Sequence, residues 1–324
     1  MRIGVVGGGA WGTALAQTLA SGGEPVLLWA FEAEVAESIN HAHVNQSYLP
    51  AIPLSPSLHA TNAMADMAAC DALLIVCPAQ HLRSIVGQLP DPQTPLILCA
   101  KGIEAETGML MSQVAREAAP GAPIAVLSGP TFAHEVAAGL PAAVTLACED
   151  GVLGQTLVER IARPHFRPYL SDDVIGAEIG GAVKNVLAIA CGVADGAGLG
   201  LNARAALISR GFAEMTRFGL KLGARAETLA GLSGLGDLVL TCSSTNSRNF
   251  SLGQGLGEGK PAGVLLANRR TIAEGAFTAP ILHNVARAHD VDMPIVEGVC
   301  ALLDGKIGVA GMIDALMSRP LRSE

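Results

Sequence analysis

The apolar positions of the N-terminal half fall into short, uncharged runs separated by glycine, proline and polar breaks. Residues 2–6, 26–29, 72–77, 96–99, 124–127 and 143–147 are rich in Val, Ile and Leu and carry no charge after Arg2. Continuous apolar runs of this length are what parallel strands buried on both faces require. Between them, residues 12–21, 32–40 and 109–119 have helical composition. The alternation predicts βαβ units and hence a doubly wound sheet. Residues 45–62, with Pro50, Pro53 and Pro56, are expected to form a loop with at most a short strand.

Beyond about residue 171 the pattern changes to longer helical periods at 172–190, 203–223, 262–267, 279–289 and 294–304, with no strand candidate. Asp172 and Asp173 suit the start of the first of these, whose apolar face continues through Val183, Val186, Leu187 and Ile189. The glycine-rich stretch 253–263 is expected to be a loop. The pattern therefore predicts a Rossmann-like, doubly wound α/β domain over residues 1–171 and an all-helical substrate and catalytic domain over residues 172–324.

Composition adds limits. At 324 residues, half of them hydrophobic and 15% charged, the chain can build two cores. Mean hydropathy is +0.41, yet no uncharged run of spanning length is free of glycine and proline breaks, so no membrane span is expected. Residues 3–23 could imitate a secretory leader, but Gly7, Gly8 and Gly9 interrupt the run after four residues, whereas a leader needs about 7–15 continuous apolar ones. A net charge of −8 argues against a nucleic-acid surface. The seven cysteines are odd in number and form no Cys-x-x-Cys pair, which predicts buried thiols in a reducing cytoplasm. His41 and His43 have no third ligand near them in sequence, so no metal is expected.

Several stretches carry chemistry. Gly7, Gly9 and Gly12 form G-x-G-x-x-G directly after a strand and directly before a helix. In that setting the first glycine makes the turn, the second admits a pyrophosphate to the backbone and the third lets helix and strand pack closely. The second strand ends in "LLWAFEAE", with Ala30 and Phe31 where the adenosine ribose is sensed and Glu32 just beyond. That ending selects neither NAD nor NADP. Lys101, in "CAKGIE", and the segment holding Gly129, Pro130 and Thr131 each follow a strand, at the sheet edge where ligands bind in open α/β folds. In the helical half Lys184 and Asn185 interrupt an apolar stretch flanked by Gly180 and Gly181. A lysine there is either a snorkelling surface residue or, desolvated in an interdomain cleft, a general acid or base. Asp237 and Thr241 share a helix face, and a polar loop follows with Ser247, Arg248 and Asn249. An arginine in such a loop suits an oxyanion or phosphate.

Together these stretches resemble the bacterial-type NAD(P)-dependent sn-glycerol-3-phosphate dehydrogenases. The resemblance is carried by "GGGAWGTALA", "NQSYLPAIPL", "CAKGIE", "SGPTFAHEVAAGLP", "GGAVKNVLAIACGVADG", "GLSGLGDLVLTC" and "NSRN", in family order from residue 3 to about 300. It implies a helical domain like the C-terminal domain of 6-phosphogluconate dehydrogenase, and reversible NAD(P)H-dependent reduction of dihydroxyacetone phosphate to sn-glycerol 3-phosphate for glycerophospholipid synthesis. It implies Lys184 as the proton acceptor, with Lys101 and Asp237 assisting. The substrate positions it implies are Lys101, Gly129, Thr131, Lys184, Asp237, Ser247, Arg248 and Asn249. The cofactor positions it implies for NADP or NAD are Gly7, Gly9, Ala10, Trp11, Gly12, Phe31, Lys101, Ala133, Arg248, Ile272 and Glu274. Phe31 departs from the family, many of whose members carry a basic residue there. A homodimer is compatible with the apolar helical half. The competing readings are another two-domain dehydrogenase, of 3-hydroxyacid or 6-phosphogluconate type, and a non-catalytic NAD(H) sensor. Residues 237–249 argue against the first, and the two lysines with a phosphate-binding arginine argue against the second.

Overall fold

In the computed structural model, which describes residues 1–267 and 273–319, eight short strands form one sheet. They are β1 (Ile3–Val6), β2 (Val26–Trp29), β3 (Leu58–Thr61), β4 (Ala72–Ile75), β5 (Leu96–Leu98), β6 (Ile124–Ser128), β7 (Ala142–Cys148) and β8 (Phe166–Ser171), in the order β3-β2-β1-β4-β5-β6-β7-β8. The first six strands are parallel in the 3-2-1-4-5-6 order of a dinucleotide-binding fold. The order reverses between β1 and β4, which sets the crevice for a ligand at their carboxyl ends.

The strands are apolar throughout because both faces are covered. Val5, Leu74 and Ile97 join the core on one side of the sheet with Leu15 and Leu28, while Val6, Leu73, Ile75 and Leu98 join the core on the other with Val114. Each such buried side chain contributes roughly 1.5–3 kcal/mol relative to exposure.

Two strand expectations need correction. Residues 143–147 do form a strand, but β7 runs antiparallel to β6. The connection between them contains only a five-residue helix, too short to carry the chain back along the sheet, so it re-enters from the same edge. The edge strand β8 escapes the sequence pattern because buried Phe166 and Pro168 alternate with exposed Arg167 and Tyr169. It has one covered face and no apolar run.

Six helices accompany the sheet: α1 (Ala10–Ala20), α2 (Ala33–Ala42), α3 (Leu82–Val86), α4 (Met111–Ala118), α5 (Ala133–Ala137) and α6 (Gly151–Ile161). Among the described residues nine follow: α7 (Val174–Gly196), α8 (Gly200–Lys221), α9 (Ala226–Leu229), α10 (Asp237–Cys242), α11 (Arg248–Gly257), α12 (Ala262–Leu266), α13 (Glu274–Ala288), α14 (Pro294–Leu303) and α15 (Val309–Met317). The chain divides into two compact units, one of Met1–Glu104 with Met109–Glu178, the other of Ala105–Gly108 with the chain from Ile179 onward. By length and composition α7 could cross a bilayer, but its apolar window is 94% buried inside the protein.

The glycine-rich stretch expected as a loop is largely helical. Residues up to Gly257 belong to α11, which packs backbone to backbone against α7. A Cβ on Gly253 would lie 2.0 Å from the Ile189 carbonyl oxygen, one on Gly192 2.0 Å from that of Phe250, one on Gly196 2.1 Å from that of Gln254, and one on Gly257 2.4 Å from that of Val193. Only residues without side chains permit that approach. The contact outweighs the cost of glycine in a helix, about 1 kcal/mol each.

Two buried glutamates close helix ends. Glu178 accepts hydrogen bonds from the Ser112 amide and hydroxyl, both at 2.6 Å, at the start of α4. Glu214 accepts from the amides of Ile295, at 2.8 Å, and Val296, at 3.4 Å, at the start of α14. Burial pushes each carboxyl up to about 7 in spite of those bonds.

Candidate active site

At the carboxyl end of β1 the backbone turns through Gly7, whose φ of 131° excludes other L residues at low cost. A Cβ there would lie 2.2 Å from the Val76 carbonyl oxygen, and one on Gly12 1.9 Å from that of Gly7. Both glycines are needed for α1 to start this close to β1 and β4. Gly9 is the N-cap of α1 and supplies no side-chain cap, and a Cβ on it would meet nothing within 4 Å. Gly9 therefore stands beside open space at the start of α1, and no side chain caps the first-turn amides of Ala10, Trp11 and Gly12, as a pyrophosphate site requires. These residues fit the dinucleotide expected of them. Trp11 packs partly against the core beside the turn.

The other candidate residues of this unit stand at strand ends. Phe31 is 80% exposed and meets Trp29 edge-on with ring centroids 6.4 Å apart. Glu32 is the N-cap of α2, and its Oε1 accepts a hydrogen bond from the Tyr48 hydroxyl at 2.7 Å, a partnership that no sequence motif announced. Lys101 is half-buried just after β5. Burial pushes the nearby Cys99 thiol well up, partly countered by the Lys101 ammonium. Gly129 follows β6, where a Cβ would lie 2.8 Å from the Val144 Cα. Thr131 donates to the Gly129 carbonyl at 3.3 Å, and Ala133 opens α5.

In the helical unit Lys184 is buried on α7, and its Nζ donates to Asp237 Oδ1 at 2.6 Å. Asp237 is fully buried at the start of α10 and also accepts from the Thr241 hydroxyl at 3.4 Å, one turn on. A single π turn, Leu232–Gly236, leads into it. A Cβ on Gly180 would fall 2.0 Å from the Ser233 carbonyl oxygen, so the close approach at Gly180 lets Asp237 reach Lys184. Removing one partner of such a buried pair costs about 3–5 kcal/mol. Behind it, the neighbouring Cys191 thiol and burial push the Cys242 thiol well up. All seven cysteines are free thiols.

Ser247, Arg248 and Asn249 were expected in a loop. Ser247 instead caps α11, its hydroxyl accepting from the Phe250 amide at 3.2 Å, and Arg248 and Asn249 form the first turn. Asn249 donates to Asn185 Oδ1 at 3.0 Å and accepts from the Gly275 amide at 2.9 Å. That bond ties the residue after Lys184 to the first turn of α11, which presents exposed Arg248. Glu274 begins α13. Ile272 lies outside the described residues.

A cavity of about 340 Å³ opens at the opposite edge of the sheet, beside Arg2, Asp71, Arg160 and Arg163. Arg160 and Arg163 there donate to main-chain carbonyls of Met1, Leu19, Arg160 and Ala162. It shares no residue with the candidate site.

Residues 2–153 match the family model described as NAD-dependent glycerol-3-phosphate dehydrogenase N-terminus, and residues 173–314 that of the C-terminus. The chain belongs to the NAD-dependent glycerol-3-phosphate dehydrogenase family. Among curated members, a glycerol-3-phosphate dehydrogenase named for NAD(P)+ from Sphingopyxis alaskensis is 64% identical over 323 residues, covering 100% of this chain and 98% of its own. One from Novosphingobium aromaticivorans is 63% identical, again over 100% and 98%. The crystal structure of glycerol-3-phosphate dehydrogenase from Coxiella burnetii superposes with a TM-score of 0.93 at 38% identity, over 98% of this chain and 99% of that one. The Rossmann-like sheet followed by a helical half is thus the family's fold.

Proposed function

We propose that this chain catalyses the reversible reduction of dihydroxyacetone phosphate to sn-glycerol 3-phosphate with NADH or NADPH, in supply of glycerophospholipid synthesis. The observation that carries the reading is the buried Lys184–Asp237 pair at 2.6 Å, linked through Asn185 and Asn249 to the first turn of α11. A proton-exchanging group and an anion-binding helix start thereby share one framework.

The roles follow from residue chemistry. When bound, the nicotinamide dinucleotide supplies or accepts the hydride at substrate C2. Lys184 gives a proton to the C2 oxygen in reduction and takes it back in oxidation, with Asp237 and Thr241 fixing its direction. Lys101 contacts cofactor and substrate and polarises the same oxygen. Arg248 and Asn249, with Ser247 and the α11 amides, hold the phosphate through charge-assisted bonds. Gly129 and Thr131 border the substrate. Gly7, Gly9, Ala10, Trp11, Gly12, Phe31, Ala133, Ile272, Glu274 and Arg248 border the cofactor. In this reading residues 1–171 bind the dinucleotide and residues 172–324 the substrate.

Seven free thiols support a reducing compartment, the cytoplasm. The net charge of −8 supports a partner set without nucleic acid. A homodimer through the helical unit is the assembly proposed, and exposed Leu199, Leu201 and Phe277 supply apolar surface for it. The deciding experiment follows oxidation of NADH and of NADPH with dihydroxyacetone phosphate. Turnover with either supports the reading. Binding of a dinucleotide with no oxidation of it overturns the reading in favour of a sensor.

A further inference from the structure

We propose that Glu32, held by Tyr48, is this chain's reader of the adenosine ribose, and that the pair favours the 2′-hydroxyl of NADH over the 2′-phosphate of NADPH; the inference rests on the dinucleotide site proposed above. Glu32 follows β2 by three residues and is the N-cap of α2, yet its side chain makes no cap hydrogen bond. Its Oε1 is occupied by the Tyr48 hydroxyl at 2.7 Å. Among the described residues its Oε2 has no hydrogen-bond partner, so one oxygen is fixed and one remains to accept from a ligand. A carboxylate at the end of the second strand of such a fold accepts from a ribose 2′-hydroxyl and repels a phosphate there.

Tyr48 is itself anchored to the glycine turn. Its amide donates to Asn45 Oδ1 at 3.1 Å, and the Asn45 amide group, fully buried, donates to the Gly8 carbonyl and the Thr13 hydroxyl, both at 2.8 Å. Gly8 in turn approaches the end of β2, since a Cβ on it would lie 2.6 Å from that of Ala30. The pyrophosphate turn, the end of β2 and the Tyr48–Glu32 pair are therefore one connected piece of structure. Glu32 also keeps the tyrosine hydroxyl protonated, pushing it above its ordinary range, so it stays a donor.

The formal charge along this segment has one sign. Glu32, Glu34 and Glu37 fall in this segment, and no Lys or Arg occurs between Arg2 and Arg83. The whole mononucleotide half from β1 to β4 thus offers no lysine or arginine to a 2′-phosphate. A dianionic group placed near Glu32 meets a repulsion that no lysine or arginine of this segment offsets.

The test is direct binding, without turnover. Dissociation constants of NADH and NADPH are measured by nicotinamide fluorescence, at one ionic strength, for the parent, Glu32→Gln, Tyr48→Phe and the double variant. The parent is expected to bind NADH at least tenfold more tightly. Glu32→Gln reduces that ratio at least tenfold, chiefly through tighter NADPH binding. Tyr48→Phe weakens NADH severalfold in the parent and less in the Glu32→Gln background, a coupling that a purely structural tyrosine would not produce. Both side chains are partly exposed, and unchanged melting temperatures confirm folding. A parent that prefers NADPH, or a ratio indifferent to Glu32→Gln, overturns the proposal while leaving the dinucleotide site standing. Failure of the parent to bind either dinucleotide overturns both.

Discussion

Replacing Gly253 by alanine sets helix propensity against packing, and the two call for opposite signs. In an exposed helix interior the change gains about 1 kcal/mol. At Gly253 the added methyl lies 2.0 Å from the Ile189 carbonyl oxygen and 2.9 Å from the Val193 amide nitrogen. Both are backbone atoms of α7, so no rotamer change relieves the clash. To bring the first contact from 2.0 Å to the 3.4 Å where ordinary contact begins, α11 has to withdraw by about 1.4 Å. Overpacking costs about 1–3 kcal/mol where side chains can adjust, and a backbone-lined site belongs at the top of that range. After the propensity gain, the net loss is about 2 kcal/mol, or roughly 4–8 °C in melting temperature for a unit of this size.

Gly263 is the control, because it lies in α12 and a Cβ on it meets nothing within 4 Å. Gly263→Ala should hold or raise the melting temperature, measured by circular dichroism beside Gly253→Ala and the parent. The withdrawal also reaches the site, because the first turn of α11 carries Arg248 and Asn249. A displacement of about 1 Å can cost 10²-fold in rate, so kcat/KM for dihydroxyacetone phosphate should fall along with stability. A Gly253→Ala protein that melts at or above the parent would refute the glycine seam as a requirement of packing.

Four further outcomes are expected. Lys184→Ala should lower kcat by ~10²–10⁴-fold with NADH binding, followed by fluorescence, nearly intact; parental turnover removes Lys184 from proton transfer. Arg248→Ala should raise KM for dihydroxyacetone phosphate at least tenfold, since charge-assisted bonds are roughly twice as strong as neutral ones, and an unchanged KM excludes the phosphate clamp. Glu214 rises from 4.5 unfolded to about 7 folded, so the native state holds the extra proton, and stability should be full below pH 4.5 and decline as pH rises through 7. The span is roughly 3 kcal/mol, and chemical denaturation across that range should show a shallower slope for Glu214→Gln; an identical slope counts against a buried, proton-holding Glu214. Phe31→Arg should shift the ratio of catalytic efficiencies toward NADPH by offering the 2′-phosphate a cation, and no shift means that Phe31 does not border that position.

How much of this was legible depended on whether a contact leaves a local pattern. Strands β1, β2, β4, β5 and β6 were visible because a strand covered on both faces must be apolar at every position. The one-sided edge strand β8 was not, and the antiparallel return into β7 depends on a connection length that apolar runs do not encode. Glycines were ambiguous for a physical reason. Gly7 is required by a positive φ and Gly253 by a neighbouring backbone, and a count of glycines does not distinguish the two. Spacing does: Gly192 and Gly196, like Gly253 and Gly257, stand four apart and share a helix face, whereas Gly7, Gly8 and Gly9 are consecutive and cannot.

In the candidate site the resemblance linked Asp237 to Lys184, whereas no local pattern announces their contact. Lys184 lies four residues after Gly180, so both face the same way from α7, and Asp237 lies four residues after Ser233. The backbone contact joins Gly180 to Ser233 and the ion pair joins Lys184 to Asp237, and both contacts span the same 53 residues. The segment from the π turn into α10 therefore runs alongside α7 in register for one turn. The glycine contact fixes that register, and one turn further along the same register brings the lysine to the carboxylate. A side chain at position 180 would force the two segments apart where they first touch, and the lysine would be left buried beside a carboxylate it could no longer reach.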